Sequence, residues 1–187
     1  KDFMAMEWDG IWTKTWLFAG IEADITEVGD FFVYDIGRES IVITRDENDR
    51  ISAFYNVCQH RGNKIVTLES GSFNKISCPY HGWSYALSGK LEYVPDMELF
   101  EGGVPCGEKS LKPVRVSVWA GLIFINMDEN SPSLETFLGP IIDQLKPYKF
   151  EEMKLVKHQT VDVLETNWKT VRDNFLEQYH VDFIHPQ

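Results

Sequence analysis

Cysteine is scarce in this chain: three residues among 187, an odd number and too few for a disulfide framework. Basic residues are outnumbered too, with 18 Lys and Arg against 29 Asp and Glu and a formal net charge of −11. A nucleic-acid partner is therefore not expected, because it needs a basic footprint. No run approaches the roughly 20 uninterrupted apolar residues of a membrane helix. The first residues, Lys1-Asp2-Phe3-Met4, do not build a signal peptide. No membrane partner is expected, and a cytoplasmic location is. Internal repeats and low-complexity tracts are also missing. What is present, 43% hydrophobic and 25% charged residues, suffices for a buried core and one or two domains.

The texture changes along the chain. Trp8, Ile11, Trp12, Trp16 and Leu17 lie at helical spacing and predict a helix over Met6 to Leu17, stopped by Gly20. Short β-prone runs follow, Phe31-Phe32-Val33-Tyr34, Ile41-Val42-Ile43-Thr44 and Ile51 to Val57, separated by Gly37 and the turn Asp46 to Arg50. Val114, Val116 and Val118 alternate with polar residues before Ala120-Gly121 and Leu122-Ile123-Phe124-Ile125, which predicts a closing hairpin. Ser131-Pro132 then reads as the start of a helix carrying Leu134, Phe137, Leu138, Ile141, Ile142 and Leu145, with Gly139-Pro140 kinking or splitting it. Alternation from Met153 to Glu165 predicts one strand of a new sheet, and Asn167 to His180 a helix. The order is that of an α+β protein with an antiparallel, β-rich first domain.

Two constellations carry chemistry. Cys58-Gln59-His60-Arg61-Gly62 and Cys78-Pro79-Tyr80-His81-Gly82-Trp83 interleave two thiols with two imidazoles, and the 17 residues 61 to 77 lie between the pairs. Two thiolates on one iron and two imidazoles on the other are the ligands of a Rieske-type [2Fe-2S] centre. A Cys2His2 zinc site has the same donors, but its common pattern pairs Cys with Cys and His with His. A Cys58–Cys78 disulfide would leave both histidines without a role. Gly62 and Gly82 let backbone amides approach the sulfurs, and Tyr80 and Trp83 are placed to shield a cluster. The second constellation is Glu177-x-x-His180-x4-His185. Oxygen-activating Fe(II) commonly sits between two histidines and a carboxylate. The plainer reading leaves this polar helix face in water, with His185 capping a helix ended by Pro186.

These motifs resemble the Rieske non-haem iron oxygenases, large (alpha) subunit, of the ring-hydroxylating family; the similarity rests on C-x-H-R-G and C-P-Y-H-G-W as they stand here. The resemblance implies a β-rich Rieske domain of antiparallel sheets inserted at the start of an α+β, helix-grip-like catalytic domain. It implies a helical segment over 1–19 packed with the catalytic domain, the Rieske [2Fe-2S] domain over 20–128, and the start of the mononuclear-iron domain over 129–187. Cys58, His60, Cys78 and His81 would bind the cluster, and His180 and His185 the mononuclear Fe(II). Glu177 would carry electrons between centres by joining His180 to His81 of a neighbouring subunit in a homotrimer, with or without beta subunits. The family's third iron ligand is a carboxylate from well downstream, so the chain is expected to correspond to about the first half of such a subunit. Asp182 lies between the histidines at a position that the family does not use.

The implied function is that of a mono- or dioxygenase. Electrons from NAD(P)H pass through a reductase, with or without a ferredoxin, and O2 is used to hydroxylate an aromatic ring or to demethylate or hydroxylate another small organic substrate. Aromatic hydrocarbon catabolism fits that class, although Glu177 in place of the Asp of many ring-hydroxylating members points towards choline, carnitine and betaine monooxygenases. Two rival readings remain: a Rieske ferredoxin-type electron carrier, which needs no Glu177-x-x-His180-x4-His185, and a remnant, which would have lost ligands. His158 and Cys106 read as bystanders, Asn174 as a residue that could orient a water, and Trp8, Trp12, Trp16, Trp119 and Trp168 as core anchors.

Overall fold

The computed structural model describes residues 2–103, 108–154, 156 and 165–185. The chain divides into two compact units, one reaching Met153 and one beginning at Lys154. Among the described residues of the first unit are three antiparallel sheets. The first has strand order β1-β10-β9, from Leu17–Ile21, Leu122–Asn126 and Arg115–Trp119. The second, β4-β3-β2-β5, is built from Ile51–Tyr55, Glu39–Arg45, Asp30–Ile36 and Ser70–Ser72. The third, β6-β7-β8, uses Ile76–Ser77, Ser84–Tyr85 and Leu91–Tyr93.

Strand β3 explains how these sheets stack. Ile41, Val42 and Ile43 are all fully buried. Successive strand side chains point to opposite faces, so a strand apolar at consecutive positions must be covered on both sides. Ile41 and Ile43 enter one core with Leu17, Ile123 and Ile125 of the first sheet. Val42 enters a second core with Ile76, Tyr85 and Leu91 of the third sheet, and Cys58 and Cys78 belong to that second core. The middle sheet is thus shared, and one of its two cores surrounds the cysteines. The predicted hairpin is present: Trp119 pairs with Leu122 around Ala120 (φ 51°) and Gly121 (φ 77°), the left-handed pair of a two-residue turn.

The helices differ from expectation in instructive ways. The helix predicted over Met6 to Leu17 is α1, Asp2–Glu7, continued as one wide turn over Trp8–Trp12, and Leu17 instead opens strand β1 opposite Ile125. Local spacing is outweighed there by the ladder with β10 and by Leu17 entering the core. Trp8 and Trp16 are buried, Trp12 packs on the core, and Trp119 and Trp168 are half-exposed. Ser133 rather than Ser131 caps the next helix, its Oγ accepting from the Thr136 N–H, because Ser131 is held by the Arg115 guanidinium. Gly139 and Pro140 do split that helix, into α2 (Leu134–Leu138) and α3 (Ile141–Leu145). All but the ends of the strand predicted over Met153 to Glu165 lie outside the described residues, as do His158 and Cys106.

In the second unit the described residues form α4, Trp168–Phe175, and α5, Val181–Ile184, and none of them is buried. The single helix expected from Asn167 to His180 is broken after Phe175. The Glu177 carboxylate accepts from the backbone N–H of Tyr179, a local side-chain bond that competes with helical pairing. No helix among the described residues is long and apolar enough to cross a membrane.

Candidate metal centres

Two loops of the first unit share one backbone design. In the first, Val57 bridges Lys64, the Cys58 N–H donates to the Asn63 carbonyl (2.9 Å), and the Gly62 N–H returns to the Cys58 carbonyl (2.9 Å). In the second, Ser77 pairs with Ser84, the Cys78 N–H donates to the Trp83 carbonyl (2.8 Å), and the Gly82 N–H returns to the Cys78 carbonyl (3.0 Å). Gly62 and Gly82 have φ of 73° and 71°, the left-handed region in which a side chain would be strained. The same closure recurs at the same spacing, and the residue types required for it are the ones that the motifs supply.

Four side chains come together on this frame. Cys58 and Cys78 are buried free thiols, 2% and 3% exposed. The His60 and His81 rings meet edge to face with centroids 4.6 Å apart. The indole of Trp83, from the second loop, stacks on His60 of the first at 4.9 Å and 7°. Tyr80 covers His81 at 3.8 Å and 33°. A groove of about 650 Å³ runs past both imidazoles, between Pro95, Leu99, Phe100 and Lys109. Burial pushes the Cys58 thiol pKa up, against a hydrogen bond from Tyr85 that pulls it down, and burial lowers the pKa of His60 beside His81 and Arg61. A neutral Cys58 thiol is thus favoured until a cation compensates the charge of its thiolate.

The donors fit a two-iron cluster. Nδ1 of His60 is shut off from water and has no hydrogen-bond partner among the described residues. A buried ring nitrogen left in that state is costly unless something binds it. No three His, Cys, Asp or Glu side chains among the described residues converge on one ion-sized site. Tetrahedral zinc would need its ligands gathered about a point, whereas a [2Fe-2S] centre takes two protein ligands per iron. The disulfide reading finds no support in two free thiols.

One participant was not visible in the sequence pattern. The Tyr85 hydroxyl, fully buried on β7, accepts from the Gln59 N–H (3.2 Å) and lies 3.3 Å from Cys58 Sγ. Against a metal-bound thiolate, which has no proton to give, the hydroxyl can only donate to the sulfur. Burial, then the contact with Cys58, raises its pKa, so it stays a donor. Asn63 Nδ2 approaches Cys78 Sγ at 4.0 Å, a longer contact, and also donates to the Lys64 carbonyl. No pattern in the sequence could have suggested Tyr85, since β7 has only two residues, both buried, and the loop it serves is 26 residues away.

In the second unit, the Glu177 carboxylate takes both the Tyr179 N–H and Nδ1 of His180. That bond to His180, above all, lowers the Glu177 pKa. Nε2 of His180 is consequently the nitrogen left for a metal. The His180 and His185 rings lie 5.7 Å apart at 73°. These residues are adjacent through a turn and the first turn of α5, not through the continuous helix face that the spacing suggested.

Comparison with known proteins places these sites in context. The family model described as Rieske [2Fe-2S] domain matches residues 15–107, and that for the ring-hydroxylating alpha subunit catalytic domain matches residues 150–187. The glycine betaine monooxygenase oxygenase subunit of Chromohalobacter salexigens is 35% identical over 185 residues, covering 98% of this chain and 40% of that protein. The carnitine monooxygenase oxygenase subunit of Escherichia coli K12 is 34% identical, covering 96% of this chain and 48% of that protein. This chain therefore spans less than half the length of these curated relatives. Among solved structures, a quaternary ammonium Rieske monooxygenase bound to an inhibitor superposes with a TM-score of 0.90 at 32% identity, over 97% of this chain and 51% of the other. A naphthalene 1,2-dioxygenase does so at 0.89 and 31%, over 98% and 42%. The two family models fall in the order of the two constellations, a Rieske cluster and a mononuclear iron are the cofactors they imply, and the chain belongs to the Rieske non-haem iron oxygenases, alpha-subunit type.

Proposed function

We propose that the protein serves as the terminal oxygenase component of a multicomponent Rieske oxygenase, a mono- or dioxygenase supplied with electrons from NAD(P)H by a reductase, with or without a ferredoxin. Cys58 and Cys78 hold one iron of the [2Fe-2S] cluster through their thiolates, and His60 and His81 hold the other. His180 and His185 supply two ligands to the mononuclear iron. When bound, these metals provide one-electron storage and O2 activation. The chain's own residues bind, orient and shield. Trp83, Tyr80 and the buried core keep water from the sulfurs, Tyr85 donates to Cys58, and Glu177 fixes the tautomer and direction of His180. Glu177 is also the acceptor through which His180 is joined to His81 of the neighbouring subunit in a homotrimer. Residues 20–128 act as the Rieske domain, and 129–187 belong to the catalytic domain, preceded by the 1–19 segment. The enzyme works in the cytoplasm.

The observation that carries this reading is the buried His60 Nδ1 beside two buried free thiols, on the same chain as the Glu177, His180, His185 turn. Among substrates, a quaternary ammonium compound is favoured over an aromatic ring. Glu177 supports it, as does the similarity to enzymes named for glycine betaine and carnitine. The decisive experiment is EPR with iron quantification on the full-length reduced protein. A low-average-g [2Fe-2S] signal with three irons per chain is expected. Two irons with the same signal would make it a ferredoxin-type carrier, and a silent, zinc-loaded sample would overturn both readings.

A further inference from the structure

We propose that Trp83 is a positioning residue for His60, and that it makes the two histidines of the centre unequal: His60 held from within, His81 covered only from outside. The proposal rests on the cluster reading above. Trp83 is itself fixed independently of His60. Its carbonyl accepts from the Cys78 N–H at 2.8 Å, and its side chain, 7% exposed, belongs to the core that contains both cysteines. From that anchor in the second loop the indole crosses to the first loop and lies nearly parallel to the His60 ring, 4.9 Å away. A rotation of His60 about its Cβ–Cγ bond would drive the imidazole edge into the indole face. It would also strike His81, whose ring stands at 70° to His60 with centroids 4.6 Å apart. The stack therefore fixes the plane in which the buried Nδ1 of His60 points. Among the described residues His81 has no such inner wall in its ring contacts. Its stacking partner is Tyr80, its neighbour in the same loop, tilted by 33° and 62% exposed.

Two consequences distinguish positioning from bulk. A flat ring at position 83 should preserve a single His60 orientation, whereas an apolar side chain without a flat face should allow several. Loosened packing also admits water beside the cluster. With two thiolates and two neutral imidazoles as ligands, reduction adds a negative charge, which water stabilises, so the reduction potential should rise.

The test compares W83F and W83L with wild type in the cluster-loaded, full-length protein, reading nitrogen hyperfine couplings of 15N-histidine in the reduced state and the reduction potential. Wild type and W83F should each show two sharp, distinct histidine couplings and similar potentials. W83L should broaden one coupling, leave the other sharp and shift the potential upward. If W83L matches wild type in both readings, or if W83F departs as far as W83L, His60 does not depend on the stack and the proposal fails. Should W83L lose its cluster, W83M, which fills the space with a flexible chain, takes its place under the same two criteria. Absence of any Rieske signal in wild type is a separate result and overturns the cluster reading instead.

Discussion

The two candidate metal sites of this chain are built on opposite principles. Around Cys58 and Cys78 every element is closed: backbone bonds shut each loop, the thiols are almost fully buried, and aromatic rings cover both imidazoles. Around His180 no described residue is buried, Phe175, Tyr179 and Phe183 are each about four-fifths exposed or more, and Glu177 is the carboxylate that holds His180 in its local turn. The first site has all four of its candidate donors within one compact unit. The second gathers two imidazoles and a carboxylate already committed to one of them, and no third donor converges there among the described residues. Preorganisation by burial and preorganisation by one hydrogen-bonded side chain should differ sharply in metal retention and in response to mutation.

The largest expected difference is retention itself. In the 187-residue chain, a mild chelator should strip mononuclear iron at least about 100-fold faster than it bleaches the cluster, because loss of ligands and second-shell support each cost one to two orders of magnitude. Iron assays alongside the visible spectrum measure this, and equal loss rates would erase the comparison. Next in size, His81→Cys should lower the reduction potential by on the order of a hundred millivolts, since a thiolate adds negative charge at the iron it binds. An unchanged or higher potential would remove His81 from the ligand set.

Glu177→Gln tests the open site. Iron content should stay unchanged, while oxidation of the reduced cluster by O2 with substrate present slows by about 10- to 100-fold, because the shape is kept and the charged acceptor is lost. Stopped-flow absorbance reads that step directly, and wild-type rates at full metal content would reduce Glu177 to a turn residue. The smallest effect is expected inside the closed site. Tyr85→Phe removes one donor from Cys58 Sγ, and one hydrogen bond of about 1 kcal/mol corresponds to roughly 40 mV for a one-electron couple. The potential should fall, because the bond favours the more negatively charged reduced state. A rise would show that the hydroxyl does not donate to the sulfur.

Legibility followed the range of the interactions. The candidate ligand pairs, the glycines that close each loop and the β9–β10 hairpin depend on residues within a few positions of each other, and spacing alone exposes them. The helix over Met6 to Leu17 was misread because Leu17 and Phe18 are drawn into a ladder with residues more than a hundred positions away. The unbroken helix to His180 was misread for a local reason: an acid at helical spacing can also turn back on its own backbone, and periodicity does not distinguish the two.

By itself, then, the sequence determined which donor atoms are candidates for iron and which loops carry them, since donor chemistry and left-handed glycines are properties of single residues and their immediate neighbours. It also determined the α+β class, through the change of period from strands to helices. Tertiary structure decided the rest. Folding set Val42 on the cysteine side of the middle sheet with Ile41 and Ile43 on the other, brought the Tyr85 hydroxyl to Cys58, and laid the indole of one loop over the histidine of another. Those arrangements join residues far apart in the chain, and the burial that makes them consequential exists only once the sheets have stacked.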